Sequence, residues 1–514
     1  MARFKEYDRT QGLFLTVNLE EQLLPGTFEW TLDYLIDKTD MSLFEQNYCN
    51  DETGAKAYPP GVLLKIIIYS YSKGIISSRP IENMCKTNIT AKALARDAEP
   101  DHDTIATFIS TNSEAVKDLF TQVLMACHEL DLITGEMFAI DGCKLPANVS
   151  KEWSGQLTSL KKKKSDLEKL TAKIVSRHRE MDRDGGAKKK QDPFRKTMGD
   201  DKKRRERHIK RIEKKLKRLE KFLEEAEPKA GACGKEVQTN VTDSESARIK
   251  GPHGYIQGYN GIAAADSGNQ VIVAAEATGK SESASFPQML DSLEGNMKAV
   301  TGKEKPLKKS LCLGDTGFFS EENLQEAAKR EIDVLIPDPQ FRKRDPYFDG
   351  RKGHDAKKGR YTAEDFKYDK KSDSYVCPCG KVLAFKGKIK LRNNEGKKYQ
   401  AHAGDCVMCK QIGKCINMKN KEVKKRVRTL YIVTQKYEEN LSEKMRKKID
   451  DAAYREIYSR RMQIIEPVFA NITYCKGMDR FTVRGQKKVN IQWLLFCIVH
   501  NIGKCMEPLG IKYG

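Results

Sequence analysis

The chain has 514 residues, room for two to four domains at roughly 100–200 residues each. Lys and Arg total 93 against 72 Asp and Glu, a formal net charge of +21, and 39% of residues are hydrophobic. The longest apolar runs fall short of the roughly 18 residues a membrane helix needs, and MARFKEYDRTQGLFLTV at the N-terminus has no apolar signal core, which argues against a membrane protein or a secreted, disulfide-stapled one. The positive excess points to a polyanionic partner, nucleic acid ahead of an acidic membrane surface.

Residues 1 to about 130 read as helices. Pro59-Pro60 suits a first helical turn, and the apolar run from Val62 to Tyr69 ends near Gly74. Arg79-Pro80-Ile81-Glu82 opens a second helix. Asp101-His102-Asp103-Thr104 opens a third, with Asp103 the expected N-cap. A helix-turn-helix fits such a bundle, although no single reading helix stands out. Residues 137–145 then read as a short strand whose apolar run stops at Asp141, placing a carboxylate at a strand end.

The next segment, residues 150–228, differs in kind. From 161 to 226 there are 26 Lys and Arg against 13 Asp and Glu, so more than half of the chain's net charge sits here. Ile209, Ile212, Leu216, Leu219 and Leu223 follow a 3-4-3-4 spacing, and Leu160, Leu167 and Ile174 repeat every seven residues. Asp184-Gly185-Gly186 and Asp192-Pro193 interrupt the pattern. The reading is a basic antiparallel helical hairpin of coiled-coil type. A purely structural seam would balance its signs, so the excess favours DNA, with Lys202, Lys203, Arg204 and Arg205 as candidate phosphate contacts.

Residues 254–278 read as a strand pair joined at Asp266-Ser267-Gly268-Asn269, followed by a helix around Phe286–Leu293. Ser310–Gly314 is a strand ending at Asp315, and Asp333–Pro337 another. Residues 340–435 are basic, irregular and rich in Cys. A helix is expected from Ser442 through Ile465. Ile491–Val499 is apolar nearly all round, a buried core helix too short to cross a bilayer.

Chemistry gathers at the carboxyl ends of strands in α/β sheets, which singles out Asp141 and Asp315. Glu466 is a lone acid in the apolar stretch Ile464-Ile465-Glu466-Pro467-Val468, costly to bury unless paired or metal-bound. Three carboxylates suit Mg²⁺, and a pair of such ions can activate the attacking oxygen and stabilise the leaving one in displacement at phosphorus. Asp243 is a rival acid, read as ordering a strand or pairing with Arg248. His102 is read as structural. Five Cys cluster between 377 and 415 as C-x-C, C-x₂-C and a further Cys. Cys377, Cys406, Cys409 and Cys415 are the expected ligands of a structural Zn²⁺, with Cys379 or His402 as substitutes.

The order of short motifs resembles the DDE transposases of bacterial insertion sequences, in the group related to the InsH type. They include Tyr58-Pro59-Pro60, Ser77-Ser78-Arg79-Pro80-Ile81-Glu82, Pro100-Asp101-His102-Asp103, Ile140-Asp141-Gly142, Thr242-Asp243 with Arg248, and Gly258-Tyr259-Asn260. Gly314-Asp315-Thr316-Gly317-Phe318, Ile465-Glu466-Pro467-Val468-Phe469, Phe481 with Arg484-Gly485, and His500-Asn501 complete the set. The resemblance implies an α/β fold: a ribonuclease H-like catalytic domain, 131–514, behind an all-α DNA-binding domain, 1–130. The hairpin at 150–228 and the Cys-rich stretch at 340–435 then interrupt the catalytic domain.

By the same resemblance Asp141, Asp315 and Glu466 hold two Mg²⁺ ions, for which Mn²⁺ can substitute. The enzyme cuts at transposon ends and joins them to target DNA. The implied partners are double-stranded DNA and a second copy in a synaptic homodimer, with no membrane, in the cytoplasm. The family's signature around the acid departs here: Tyr458 is present, but Met462 and Thr473 stand where Arg and Lys are usual. Arg460, Arg461 and Lys476 are the nearby replacements, and Arg484 joins Arg460 and Arg461 as an expected DNA contact. The alternative reading is an inactive or domesticated DNA-binding protein.

Overall fold

The computed structural model describes residues 16–48, 56–183, 202–229, 236–251, 254–348, 361–391, 394–416, 427–433 and 441–513. The expected hairpin turn at Asp184-Gly185-Gly186 and Asp192-Pro193 lies outside them. The chain divides into two compact units: Met1–Leu313 with Glu331–Asp333 and Arg460–Gly514, and Gly314–Arg330 with Val334–Ser459.

The first unit begins with helices, as expected. They include α1 (Phe28–Asp37), α2 (Pro60–Ser72), α3 (Ser78–Thr87), α4 (His102–Thr111) and α5 (Ser113–Glu129). Pro60 stands in the first turn of α2, where its missing N–H costs nothing. Buried Lys65 of α2 is compensated by Asp33 at 2.6 Å and Asp37 at 2.5 Å from α1. The cap of α4 is Asp101 rather than Asp103: its carboxylate accepts the Thr104 N–H at 2.7 Å. A capping side chain reaches the amide three residues on, and Asp103, two residues later, already lies inside the first turn.

The basic segment forms α6 (Leu157–Arg183) and α7 (Lys202–Glu225). Leu157, Leu160 and Leu167 of α6 pack with Leu219, Phe222 and Leu223 of α7. The start of one helix therefore meets the end of the other, and the pair runs antiparallel. Lys164 bridges to Glu220 at 3.3 Å.

The main sheet contains β1 (Met137–Pro146), β2 (Ala247–Gly251), β3 (Gly254–Asp266), β4 (Ile272–Thr278), β5 (Leu311–Gly314) and β6 (Asp333–Leu335). The order is β2-β3-β1-β5-β6, with β4 also on β3. Strands β1, β2 and β4 all run antiparallel to β3. β1 does not stop at Asp141. It continues to Pro146 because β3 is 13 residues long and offers a partner at each step, from Gly142↔Ile262 to Pro146↔Gly258. Asp141 is thus a mid-strand residue. Two glycines of β3 permit this packing. A Cβ at Gly258 would lie 2.1 Å from the Leu145 carbonyl oxygen, and one at Gly261 would press on the Trp493 ring at 3.0 Å.

Helix α8 spans Glu282–Thr301, longer than the expected 286–293, because Ser281 caps it with its hydroxyl on the Ala284 N–H. Helix α9 (Ala452–Ala470) carries Glu466. The expected single helix from Ser442 breaks at Asp451, whose carboxylate accepts the Ala453 N–H at 2.9 Å and starts α9 afresh.

Helix α10 (Gln486–Tyr513) has 28 residues, so the expectation of a helix too short for a bilayer is corrected. By length and composition it could cross a membrane, but it is mostly buried within the first unit. Its polar side chains complete the free edge of β4. Asn501 exchanges two hydrogen bonds of 2.9 Å with the Ile272 backbone. Asn490 accepts the Ala277 N–H at 2.9 Å, and Gln486 donates to the Ala277 carbonyl. A sheet edge that would invite another strand is closed by a helix of the same chain.

In the second unit, the stretch expected to be irregular forms a five-stranded antiparallel sheet. Its strands are β7 (Lys367–Asp369), β8 (Ser374–Val376), β9 (Val382–Leu391), β10 (Asn394–Ala401) and β11 (Thr429–Val433), ordered β11-β10-β9-β8-β7. The signal was masked by lysines on the strands themselves, such as Lys386, Lys388, Lys397 and Lys398, which dilute the apolar alternation. Leu383, Tyr399 and Leu430 are its buried centre. Elsewhere in this unit, Arg344 pairs with buried Asp338 at 2.5 Å and with Asp450 at 2.6 Å. Glu321 caps the 441–450 helix through the Leu441 and Ser442 amides.

Candidate active site

Asp141 lies on the central strand of the main sheet, half-buried, opposite Ala263. One carboxylate oxygen accepts the Gly142 N–H at 2.8 Å, and the other accepts Arg461 Nη1 at 2.6 Å. The Arg461 side chain is only 11% exposed, so this is a largely desolvated ion pair. Arg461 shares one stripe of α9 with the buried Ile464, Ile465 and Val468, the 3.6-residue period of a core-facing helix. Beyond Asp141 on the same strand is Cys143, whose thiol is pushed up to about 12 by burial and then by the Asp141 charge. It is a packed, protonated thiol rather than a nucleophile.

Glu466 is exposed on α9. Five residues past Arg461, it stands roughly 140° around an ideal helix from the Arg461 stripe. Asp315 belongs to the second unit. It directly follows β5 and caps the short 3₁₀ turn Thr316–Phe318, accepting the Thr316 N–H at 2.7 Å. Among the described residues, no group of three or more His, Cys, Asp or Glu side chains is gathered in ligand geometry.

Several other motif residues are structural. Asp243 is buried and accepts the Tyr259 hydroxyl at 2.8 Å and the Gly485 N–H at 3.3 Å, so it ties β3 to the loop before α10. Arg248 does not pair with it; its guanidinium lies over the Tyr255 ring at 4.2 Å. Asn260 donates to the Lys280 carbonyl. His102 meets Glu82 at 2.7 Å and joins α3 to α4, and hydrogen bonds from Lys86 and then His102 hold the Glu82 carboxyl down to about 2. His500 is buried against the Gln270 carbonyl at 2.9 Å, and desolvation lowers it to about 4.

The expected DNA contacts separate. Arg460 and Arg484 are exposed, although Arg484 Nε also donates to the Asn148 carbonyl at 2.7 Å. Arg461 is turned inward to Asp141. Lys202, Lys203, Arg204 and Arg205 lie in the first turn of α7, and their side chains fall outside the described residues. Neither residue at the two signature positions supplies a cation. Met462 is exposed, and the Thr473 hydroxyl donates to the Phe469 carbonyl at 2.7 Å. The Arg461–Asp141 pair was the feature hardest to foresee; its only signal was a basic residue on the apolar stripe of a helix.

Against this architecture, a mixed α/β chain with a helical N-terminal region, two family descriptions match. "Transposase domain (DUF772)" covers residues 17–111, and "Transposase DDE domain" covers residues 376–506. Both matches are to transposase domains. The second match is to a domain of the DDE type. Neither match spans half of the chain, and the DDE match includes Glu466 but neither Asp141 nor Asp315. Comparison with curated proteins gave no match.

Proposed function

We propose that this chain binds the ends of its insertion sequence and catalyses divalent-metal-dependent DNA cleavage and strand transfer in the cytoplasm. The observation that carries the reading is the DDE domain match running through the Glu466 helix, the same helix that supplies Arg461 to Asp141. The strand order supports a ribonuclease H-like core, since the long strands β1, β3 and β4 pair antiparallel and β5 and β6 extend the sheet beyond β1.

Asp141, Asp315 and Glu466 are assigned as the metal ligands. Their oxygen donors suit Mg²⁺ or Mn²⁺, and Asp141 already holds a cationic group at 2.6 Å, so its carboxylate fits a positively charged partner. Bound metal would supply charge neutralisation at the scissile phosphate and a more reactive attacking oxygen. The chain's own residues hold the DNA. The proposed grips are the N-terminal region 1–130, the basic hairpin 150–228 and the exposed Arg460 and Arg484, with a second copy holding the other end. Phosphate contacts of this kind make binding fall steeply with salt.

The test is cleavage and joining of DNA carrying the element's flanking ends, with Mg²⁺, by the wild type and by Asp315→Ala. The expected result is both reactions in the wild type and neither in the variant, with DNA binding kept by both. Binding without chemistry in the wild type would support the second reading, a domesticated DNA-binding protein, which the non-basic Met462 and Thr473 favour.

A further inference from the structure

The five-stranded sheet of the second unit has few buried side chains: Phe366, Leu383, Tyr399, Ala401 and Leu430. A core so small seldom stabilises a fold without a crosslink or a metal. Beside it is a cavity of about 30 Å³ lined by Cys377, Cys379, Cys406, Cys409 and Cys415. That is room for a single ion or water and too little for an organic ligand. All five are free thiols. Three of them, Cys377, Cys406 and Cys415, pack against the sheet's core, while Cys379 is exposed at the rim, its sulfur 3.7 Å from that of Cys409.

Two backbone N–H groups, one in a turn and one leading into β11, donate to these sulfurs. The Lys381 N–H points at Cys377 Sγ at 3.3 Å, and the Gly380 N–H closes the same turn on the Cys377 carbonyl at 2.8 Å. The Arg428 N–H points at Cys406 Sγ at 3.5 Å. Backbone N–H groups aimed at sulfur are the partners a metal-bound sulfur would also use.

We infer that this pocket is a structural zinc site in which Cys377, Cys406, Cys409 and Cys415 hold one Zn²⁺ and clamp the β8–β9 turn to the segment after β10. Zinc suits four thiolates in a closed tetrahedral set, whereas the carboxylate site proposed for catalysis suits a hard ion. Cys379 touches Cys409 from the solvent rim and is left out of the set because it is exposed while the other four thiols are half-buried. His402 does not line the cavity. The thiols line the walls instead of meeting at a point, so binding draws the side chains inward. Each ligand thiol loses its proton as its sulfur–zinc bond forms, which makes loading weaker at low pH. The site is independent of the transposase reading.

The test is elemental analysis of the purified full-length chain expressed in zinc-supplemented medium. One zinc per chain is expected in the wild type, in Cys379→Ser and in Asp141→Ala, with zinc lost in Cys406→Ser and Cys415→Ser. Because Cys406 and Cys415 also pack against the core and their loss can itself unfold the sheet, wild-type protein is also titrated with an organomercurial while released zinc is read with a colorimetric chelator. Release should track modification of the cysteines mapped to 377, 406, 409 and 415. Co²⁺ in place of zinc should give the absorption of a tetrahedral tetrathiolate. Substoichiometric zinc in the wild type, release without modification of these thiols, or loss of zinc in Cys379→Ser with retention in Cys415→Ser would overturn the assignment.

Discussion

In the main sheet of the first unit, Phe138, Ala139 and Ile140 of β1 and Ile262 to Ala265 of β3 are wholly buried. The outer edge of β4 is bonded by Asn490 and Asn501 from α10. The five-stranded sheet of the second unit has neither advantage. Its core is a handful of residues and its strands carry lysines. One sheet is secured by apolar burial and a helix that completes its edge. The other has a cluster of thiols against its small core. The difference sets a sheet held by burial against a polar one that burial alone would hold only weakly.

The comparison can be broken most severely at Trp493. Its indole is fully buried against Gly261 and donates to the Ile262 carbonyl at 3.0 Å. Trp493→Ala should cost about 3–5 kcal/mol, read as a lowered denaturation midpoint, because it opens a cavity and orphans a buried carbonyl. A change under about 1 kcal/mol would mean the sheet does not rest on this contact.

Next in size is His500. Burial holds its pKa down to about 4, against an ordinary value of 6.5. Below about pH 6.5 the unfolded chain takes up a proton that the folded chain refuses until near pH 4. Stability should therefore be flat above this window and fall as pH drops through it, by about 3 kcal/mol at full extent. His500→Gln should flatten that part of the urea-midpoint profile; an unchanged profile would assign the pH dependence to other groups.

Asn501→Leu is expected to cost about 1–3 kcal/mol, since it strips both partners from the buried Ile272 backbone. Arg461→Met should cost about 1–3 kcal/mol by leaving Asp141 half-buried without this counter-charge, and Asp141→Asn combined with it should recover part of the loss. The recovery, measured as a double-mutant cycle, is the informative quantity. The mildest probe is amide exchange on the metal-stripped wild type, where β7–β11 should exchange faster than β1, β3 and β4. Equal protection in both sheets would erase the contrast.

Much of the main sheet could be read in the sequence because its residues are apolar in runs: Phe138–Ile140, Ile262–Ala265 and Val271–Ala275 need no further signal. Asp315 was legible for the same reason, since β5 ends abruptly before it. The extension of β1 past Asp141 was not. It is dictated by the length of β3, a distant partner, and by the absence of a side chain at Gly258. The second sheet was hidden by its lysines. The closing of the β4 edge was hidden because Asn490 and Asn501 read as incidental polar residues in an apolar helix until the sheet edge is in place. Arg461 read as a DNA contact because a positive charge in a basic protein suggests phosphate, whereas the helix stripe it occupies turns it inward.

The most direct measurement is strand transfer by pre-cut element ends into target DNA with Mg²⁺, run with the wild type, Asp141→Ala, Asp315→Ala and Glu466→Gln under conditions where all four bind the ends equally. The account predicts joined product in the wild type and loss of joining in all three variants to a similar, near-background level. Joining that survives in any one of them would remove that carboxylate from the metal site, and joining unaffected in all three would contradict the assignment of the chemistry to these residues.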